Sequence, residues 1–232
     1  MLRQFIFDSF ASVSHIPQPI PSESKQVKKM TTLAADDLLA SSGGSSHGVL
    51  FDVRVRANLT SVTIVGMDVL IEPTRPIAYE IWTKPGSWQD VPVAAAGARR
   101  DYRAGFQLVS NGTVDGQGIS ALAPLDGFAS IEVPGDARQA FWVTLQEDGL
   151  RFQNFGPAAK LVDGGIAVAS SPHLDVLYGT AVSAYPLEDA DSEHFLDHRG
   201  FLGTIFYTVT EIVVDSGSIP PQGNSSVATV SS

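Results

Sequence analysis

Short apolar runs with strand-like alternation, separated by Gly and Pro, constrain the fold of this chain more than any other feature. Val49–Arg56 alternates apolar with other residues, Ala78–Thr83 does the same, and Pro85-Gly86 follows as a turn. Further runs lie at Leu59–Ile71, Phe106–Val109, Ala129–Val133, Ala140–Leu145, Leu150–Phe155, Ile166–Ala169 and Gly203–Val214. Many short strands bounded by turn residues are typical of an antiparallel sandwich or jelly roll. The pattern predicts an all-β, jelly-roll-like antiparallel β-sandwich.

The two ends of the chain differ in composition from the alternating region. Before residue 48, alternating prolines at 17–21 favour an extended polyproline II arm. Thr31–Ala40 is the best helix candidate, and the Ser/Gly-rich stretch 41–46 has the composition of a flexible linker. The predicted organisation is an N-terminal arm and linker at 1–47, a sandwich at 48–214 and a flexible tail at 215–232.

Charge and composition exclude several classes of partner and chemistry. Lys+Arg number 15 and Asp+Glu 25, giving a net charge of -10, which argues against nucleic acid or an anionic membrane as the main partner. The chain has no Cys, so disulfides and thiolate metal sites are excluded. No apolar run approaches the roughly 20 residues that span a bilayer. Asp8 interrupts the short N-terminal apolar patch, which is a poor match to a signal peptide.

Six segments occur in an order that resembles a known module. They are Gly48–Val53, Val62–Val69 within the run Leu59–Ile71, Tyr79–Trp88, Gln139–Thr144, Leu150–Asn154 and Arg199–Tyr207. Together they are similar to a β-sandwich module that recurs in secreted and surface proteins of bacteria and some algae. The resemblance implies an extracellular or cell-surface appendage without catalytic residues or an established ligand. The chain departs from the module at Ala94–Arg100 and at His198-Arg199.

Two tryptophans are the candidate ligand-binding residues. Trp82 and Trp88 flank the turn Lys84-Pro85-Gly86. Indole faces can stack on the apolar faces of sugar rings, so the pair predicts contact with a glycan. Strand alternation also sets Trp82 on the opposite face from Tyr79 and Ile81, so that one of the two sets belongs to the core. Packing within the sheet is therefore the alternative role of these aromatics.

An acidic cluster at 188–199 is the candidate metal site. Asp189, Asp191 and Glu193 place hard oxygen ligands at alternating positions, which suits Ca²⁺. The spacing is not that of an EF-hand loop. His194 and His198, four residues apart, could instead hold Zn²⁺ if the segment were helical. A solvated acidic loop before the last strand is the alternative to either metal site.

Isolated polar residues in the strands could also carry chemistry. Asp52 lies inside an apolar run, where we expect it to point to the solvent face or, if buried, to pair with Arg54 or Arg56. Ser87 is expected to be a turn serine, and no G-x-S-x-G elbow occurs in the chain.

The leading functional hypothesis is a non-catalytic extracellular or surface module for adhesion, glycan contact or assembly. One alternative is a structural subunit in which Gln4–Phe10 of the N-terminal arm adds to the sheet edge of a neighbouring copy, forming a homo-oligomer. A metal-dependent hydrolase is the other alternative. No cofactor besides Ca²⁺ is expected.

Overall fold

The computed structural model of the chain describes residues 31–34, 42–90, 102–154, 166–186 and 195–211. All of them belong to one compact unit, residues 25–213. The fourteen described strands are β1 (Thr31–Ala34), β2 (Ser42–Ser46), β3 (Gly48–Val55), β4 (Leu59–Leu70), β5 (Pro76–Pro85), β6 (Gln107–Asp115), β7 (Leu122–Leu125), β8 (Ile131–Pro134), β9 (Arg138–Leu145), β10 (Leu150–Asn154), β11 (Ala167–Ser170), β12 (Leu174–Val182), β13 (Phe195–Phe201) and β14 (Gly203–Glu211).

The strands form two sheets in which every described pairing is antiparallel. The small sheet has five strands in the order β1-β14-β4-β7, with β8 also paired to β4. The large sheet has nine strands in the order β2-β10-β13-β12-β3-β9-β5-β6, with β11 also paired to β12. The predicted all-β antiparallel sandwich is confirmed.

The main core lies between the inner faces of the two sheets. Alternate residues of β3, including Phe51 and Val53, pack in one cluster with residues of β4 such as Val62 and Ile64. The ring of Phe51 stacks on that of Phe201 with centroids 4.5 Å apart. Burial of these side chains is the principal stabilisation available, since each contributes about 1.5–3 kcal/mol on removal from water.

Most predicted strands are confirmed, but the region before residue 48 is different from the prediction. Thr31–Ala34 forms β1 and pairs with β14, so the predicted helix Thr31–Ala40 is wrong over these four residues, and its remainder, 35–40, lies outside the described residues. Ser42–Ser46 forms β2 and pairs with β10, so a flexible linker there is also wrong. In both cases non-local pairing overrides the local preference of the sequence.

The large sheet is buried on part of its outer face as well, the face directed away from the small sheet. Leu50, Trp142 and Val182 form a second cluster with Phe106 and Ala140, separate from the main core. Half-buried aromatic side chains from adjoining loops pack on it. In the described part of the chain no helix is long and apolar enough to cross a membrane.

Candidate functional site

Three rows of side chains cross the outer face of the large sheet, because directly opposed residues in antiparallel strands point to the same side. The tryptophan row is Leu108, Trp82, Trp142, Leu50 and Thr180, on β6, β5, β9, β3 and β12. The Asp52 row is Lys84, Ala140, Asp52 and Leu177, on β5, β9, β3 and β12. The arginine row is Arg138, Arg54 and Asp175, on β9, β3 and β12.

The tryptophan row passes from a buried centre to an exposed edge. Trp142 and Leu50 are only 1% exposed, whereas Leu108 on the edge strand β6 is 44% exposed. Trp82 lies between them and is half-buried. Trp142 is therefore structural, as expected for an aromatic in the centre of a sheet, and the accessible part of the tryptophan row is its β5–β6 side.

Trp82 is held on every side by protein groups. Its ring stacks on Trp142 with centroids 6.0 Å apart, and the guanidinium of Arg103 lies 4.2 Å from its centroid. The indole Nε1–H donates to Glu80 at 2.9 Å, and the hydroxyl of Tyr185 donates to the other oxygen of the same carboxylate at 3.1 Å. Trp82 accordingly fixes the polar groups around it, and its ring already has an aromatic and a cationic partner.

Trp88 differs from Trp82 because its ring has apolar packing contacts but no stacking or cationic partner among the described residues. It is half-buried and packs at the margin of the second cluster. Within the described residues its indole has no ring partner and its Nε1–H has no acceptor. The backbone of Trp88 is nevertheless fixed, since its N–H donates to Asp52 Oδ1 at 2.9 Å.

The turn that carries Trp88 is built by its own sequence. Gly86 has φ +84°, a left-handed conformation that glycine adopts without strain, and its N–H donates to the carbonyl of Arg138 at 2.9 Å. Asp90 Oδ2 accepts the backbone N–H of Ser87 at 2.8 Å. Lys84 Nζ donates to the carbonyl of Asp90 at 2.8 Å. These bonds present Trp88 from a rigid turn.

Asp52 anchors that turn to the sheet from a buried position. Its side chain is inside the protein, with the residue 3% exposed, and its carboxylate accepts the Ser87 hydroxyl at 2.6 Å as well as the Trp88 N–H. Burial raises the pKa of Asp52 to about 6, against the opposing effects of these two hydrogen bonds and of the nearby Arg138 charge. The expectation that Asp52 points to solvent is wrong, and so is its pairing with Arg54 or Arg56, because loops cover this face.

Arg54 and Arg56 pair with a different carboxylate. Both guanidinium groups donate to Asp175, at 2.8 Å and 2.5 Å, and the side chain of Asp175 is 2% exposed. The arginine side chains themselves remain 35% and 40% exposed. Sequence reasoning missed Asp175 because its partners lie more than a hundred residues away in the chain.

Tyr207, Ser171 and His173 form a separate hydrogen-bonded group near the start of β12. Tyr207, on β14, donates its hydroxyl to Ser171 Oγ at 2.9 Å and lies 3.3 Å from Nδ1 of His173. Ser171 also accepts the backbone N–H groups of His173 and Leu174. The serine oxygen is thus occupied in closing a turn, which is a structural role.

The remaining predicted site residues lie outside the described residues. Asp189, Asp191 and Glu193, and with them His194, fall in the segment 187–194. The arm segment at 4–10 does so too. Among the residues that the structure describes, no group of three His, Asp or Glu side chains could hold a metal ion. The Ca²⁺ site therefore stays a prediction.

No protein-family model matches the chain, and no curated protein matches it. The resemblance to the secreted β-sandwich module thus stays a prediction.

Proposed function

We propose that the protein is a non-catalytic, extracellular or cell-surface β-sandwich module that binds a glycan on the outer face of its large sheet. The extracellular placement follows from the resemblance, and the glycan contact follows from the surface around Trp88. The single observation that carries the proposal is a half-buried indole that is presented by a rigid turn and, among the described residues, has no stacking or cationic partner for its ring and no acceptor for its N–H.

Sugar rings match what this surface offers. A pyranose presents apolar C–H groups to an aromatic ring and hydroxyl groups around its edge. Trp88 supplies the ring, and Glu80, Arg103 and Tyr185 supply fixed polar groups on the same face. Binding sites for small ligands commonly combine an apolar platform with a few positioned polar groups. Because the turn is already ordered, little conformational entropy is lost when a ligand binds.

Trp82 and Trp88 then have separate roles in the proposal. Trp82, with its ring between Trp142 and Arg103 and its N–H on Glu80, positions the polar groups. Trp88 makes the stacking contact. Adhesion to a glycan-bearing surface is the corresponding biological role.

A glycan array followed by titration calorimetry tests the proposal. The array identifies an oligosaccharide, and calorimetry compares wild type with Trp88→Ala for that ligand. Truncation of a central aromatic contact costs about 2 kcal/mol, which is about a 30-fold loss of affinity. Ile119→Ala is the matched control, because Ile119 is 49% exposed and lies outside the outer-face cluster. Absence of any bound glycan, or equal affinity in Trp88→Ala and wild type, would contradict the proposal.

A further inference from the structure

Arginines gather beside the Trp88 turn although the chain as a whole is acidic. Arg54 and Arg138 are directly opposed across β3 and β9, and Arg56 follows at the end of β3. Like charges in directly opposed positions destabilise a sheet. The net charge of the chain is -10, so this local group of positive charges is opposite in sign to the charge of the whole chain.

The carboxylates near these arginines are buried beneath them. Asp175 accepts hydrogen bonds from Arg54 and Arg56, and Asp52 interacts through space with Arg138. Asp175 is 1% exposed and Asp52 is 3% exposed. Within the described residues, Arg138 has no carboxylate at salt-bridge distance. Arg54 and Arg56 are therefore the exposed members of their ion pairs, with side chains 35% and 40% exposed.

The arginine row is adjacent to the proposed stacking residue. Asp52 holds the N–H of Trp88, and Arg54 is two residues further along the same strand and on the same face. Two residues of a strand span about 7 Å. In addition, the carbonyl of Arg138 accepts the N–H of Gly86 in the turn that carries Trp88. The backbone of Trp88 is thus anchored beside the arginine row, while its indole packs towards the cluster that contains Leu50, so an oligosaccharide stacked on Trp88 would extend over the anchor to the guanidinium groups.

We infer that this surface selects acidic sugars, in which a carboxylate or sulfate substituent binds the arginine row while the ring stacks on Trp88. The inference rests on the proposed function and names its ligand class. Guanidinium groups bind carboxylate and sulfate with paired, charge-assisted hydrogen bonds. Asp90 and Glu80 share this surface, and both carboxylates already have partners. Asp90 accepts the Ser87 N–H and lies near the Lys84 charge. Glu80 accepts from Trp82 and Tyr185. More distant acidic groups oppose such a ligand little at physiological salt, where charges beyond about 8 Å are screened.

The test uses one oligosaccharide in matched neutral and acidic forms, such as a sulfated oligosaccharide and its desulfated counterpart, with a uronate oligosaccharide as a separate arm. Calorimetry measures each with wild type, Arg138→Gln and Arg56→Gln, after a thermal melt confirms that the variants fold. Arg75→Gln is the matched control, since Arg75 pairs with Glu147 on an exposed surface elsewhere. The expected result is tighter binding of an acidic form, reduced about tenfold in Arg138→Gln, with unchanged binding of the neutral form.

The arms separate failure of the inference from failure of the proposed function. Equal affinity for the acidic and neutral forms would overturn the acidic preference and leave glycan binding in place. The assignment to the arginine row would be overturned if Arg138→Gln and Arg56→Gln both kept the preference for the acidic form. It would also be overturned if the control Arg75→Gln lost that preference equally. If no form binds, the proposed function itself fails and the inference fails with it. The sulfate and uronate arms show which anion the site accepts.

Discussion

Replacing Asp52 with asparagine tests whether the carboxyl group of Asp52 is shielded from solvent on the outer face of the large sheet. Asparagine has nearly the same shape and can still accept the Trp88 N–H, while its amide can donate to Ser87 Oγ. The substitution removes the ability to ionise and reverses donor and acceptor in the bond to Ser87. In wild type the pKa of Asp52 is raised by burial from 3.8 to about 6. The folded state therefore holds this proton more tightly than the unfolded state does.

The sign and size of the effect follow from linkage. A raised carboxyl pKa makes stability fall as pH rises from about 4 to about 6, and the cost of the buried charge is fully present above that range. The difference between a pKa of about 6 and one of 3.8, at 1.36 kcal/mol per pH unit, corresponds to about 3 kcal/mol. Asp52→Asn should therefore gain about 3 kcal/mol relative to wild type between pH 3.5 and pH 8.

Urea unfolding at a series of pH values between 3.5 and 8 measures this difference, and Asp115→Asn, at an exposed strand end, is the control. The reasoning is refuted if the stability difference between Asp52→Asn and wild type does not change with pH. A relative gain by wild type above pH 6 would refute it as well, because it would mean that the ionised carboxylate is the preferred form.

Two further substitutions test the packing. Gly179→Ala would place a Cβ 1.6 Å from the carbonyl oxygen of Leu50, so we expect the free energy of unfolding in urea to fall by about 3 kcal/mol or more. Gly66→Ala is the control, because its nearest neighbour is 3.5 Å away, and it should stay within about 1 kcal/mol of wild type. Equal effects of the two substitutions would show that the backbone at residue 179 adapts freely. Tyr207→Phe removes the hydroxyl that bonds Ser171 and should cost about 1 kcal/mol in the same assay, and a neutral result would show that water replaces this bond.

Alternation of side chains in single strands made the sandwich predictable. In β5, Tyr79 and Ile81 belong to the main core, while Trp82 lies on the outer face. The sequence showed that these residues oppose each other, because neighbouring side chains in a strand point to opposite faces. It could not show which set was inside, since both faces of β5 carry aromatic residues.

The buried outer face was not predictable from local patterns. The sequence pattern around Asp52 is that of a polar residue on the exposed side of a half-buried strand. Asp52 is buried because the turn that carries Trp88, distant in the chain, covers it. Strand β12 was missed for a related reason. All nine of its residues are buried, so apolar residues lie on both faces and the alternation of a half-buried strand is lost. The apolar group Val176–Tyr178 is the signal that could have identified it, although Asp175 and Thr180 interrupt the apolar run.

Pairing between distant segments was also beyond local reasoning. The residues of β1 have helix-compatible composition, yet they form an edge strand because β14 offers a free backbone edge. The contact of Arg54 and Arg56 with Asp175 likewise depends on the antiparallel register of β3 and β12. The candidate site is therefore a product of register across the sheet, with Trp88 its only stacking residue that the sequence identified.

The most direct measurement of the central proposal is an NMR titration of the three tryptophan indole N–H signals with the oligosaccharide that the array identifies. Each indole gives one resonance in a ¹⁵N-labelled sample, and single substitutions assign them. We expect the Trp88 signal to shift strongly with a saturable binding curve, while the signal of buried Trp142 stays in place. A bound sugar that leaves the Trp88 signal unmoved would contradict the proposal.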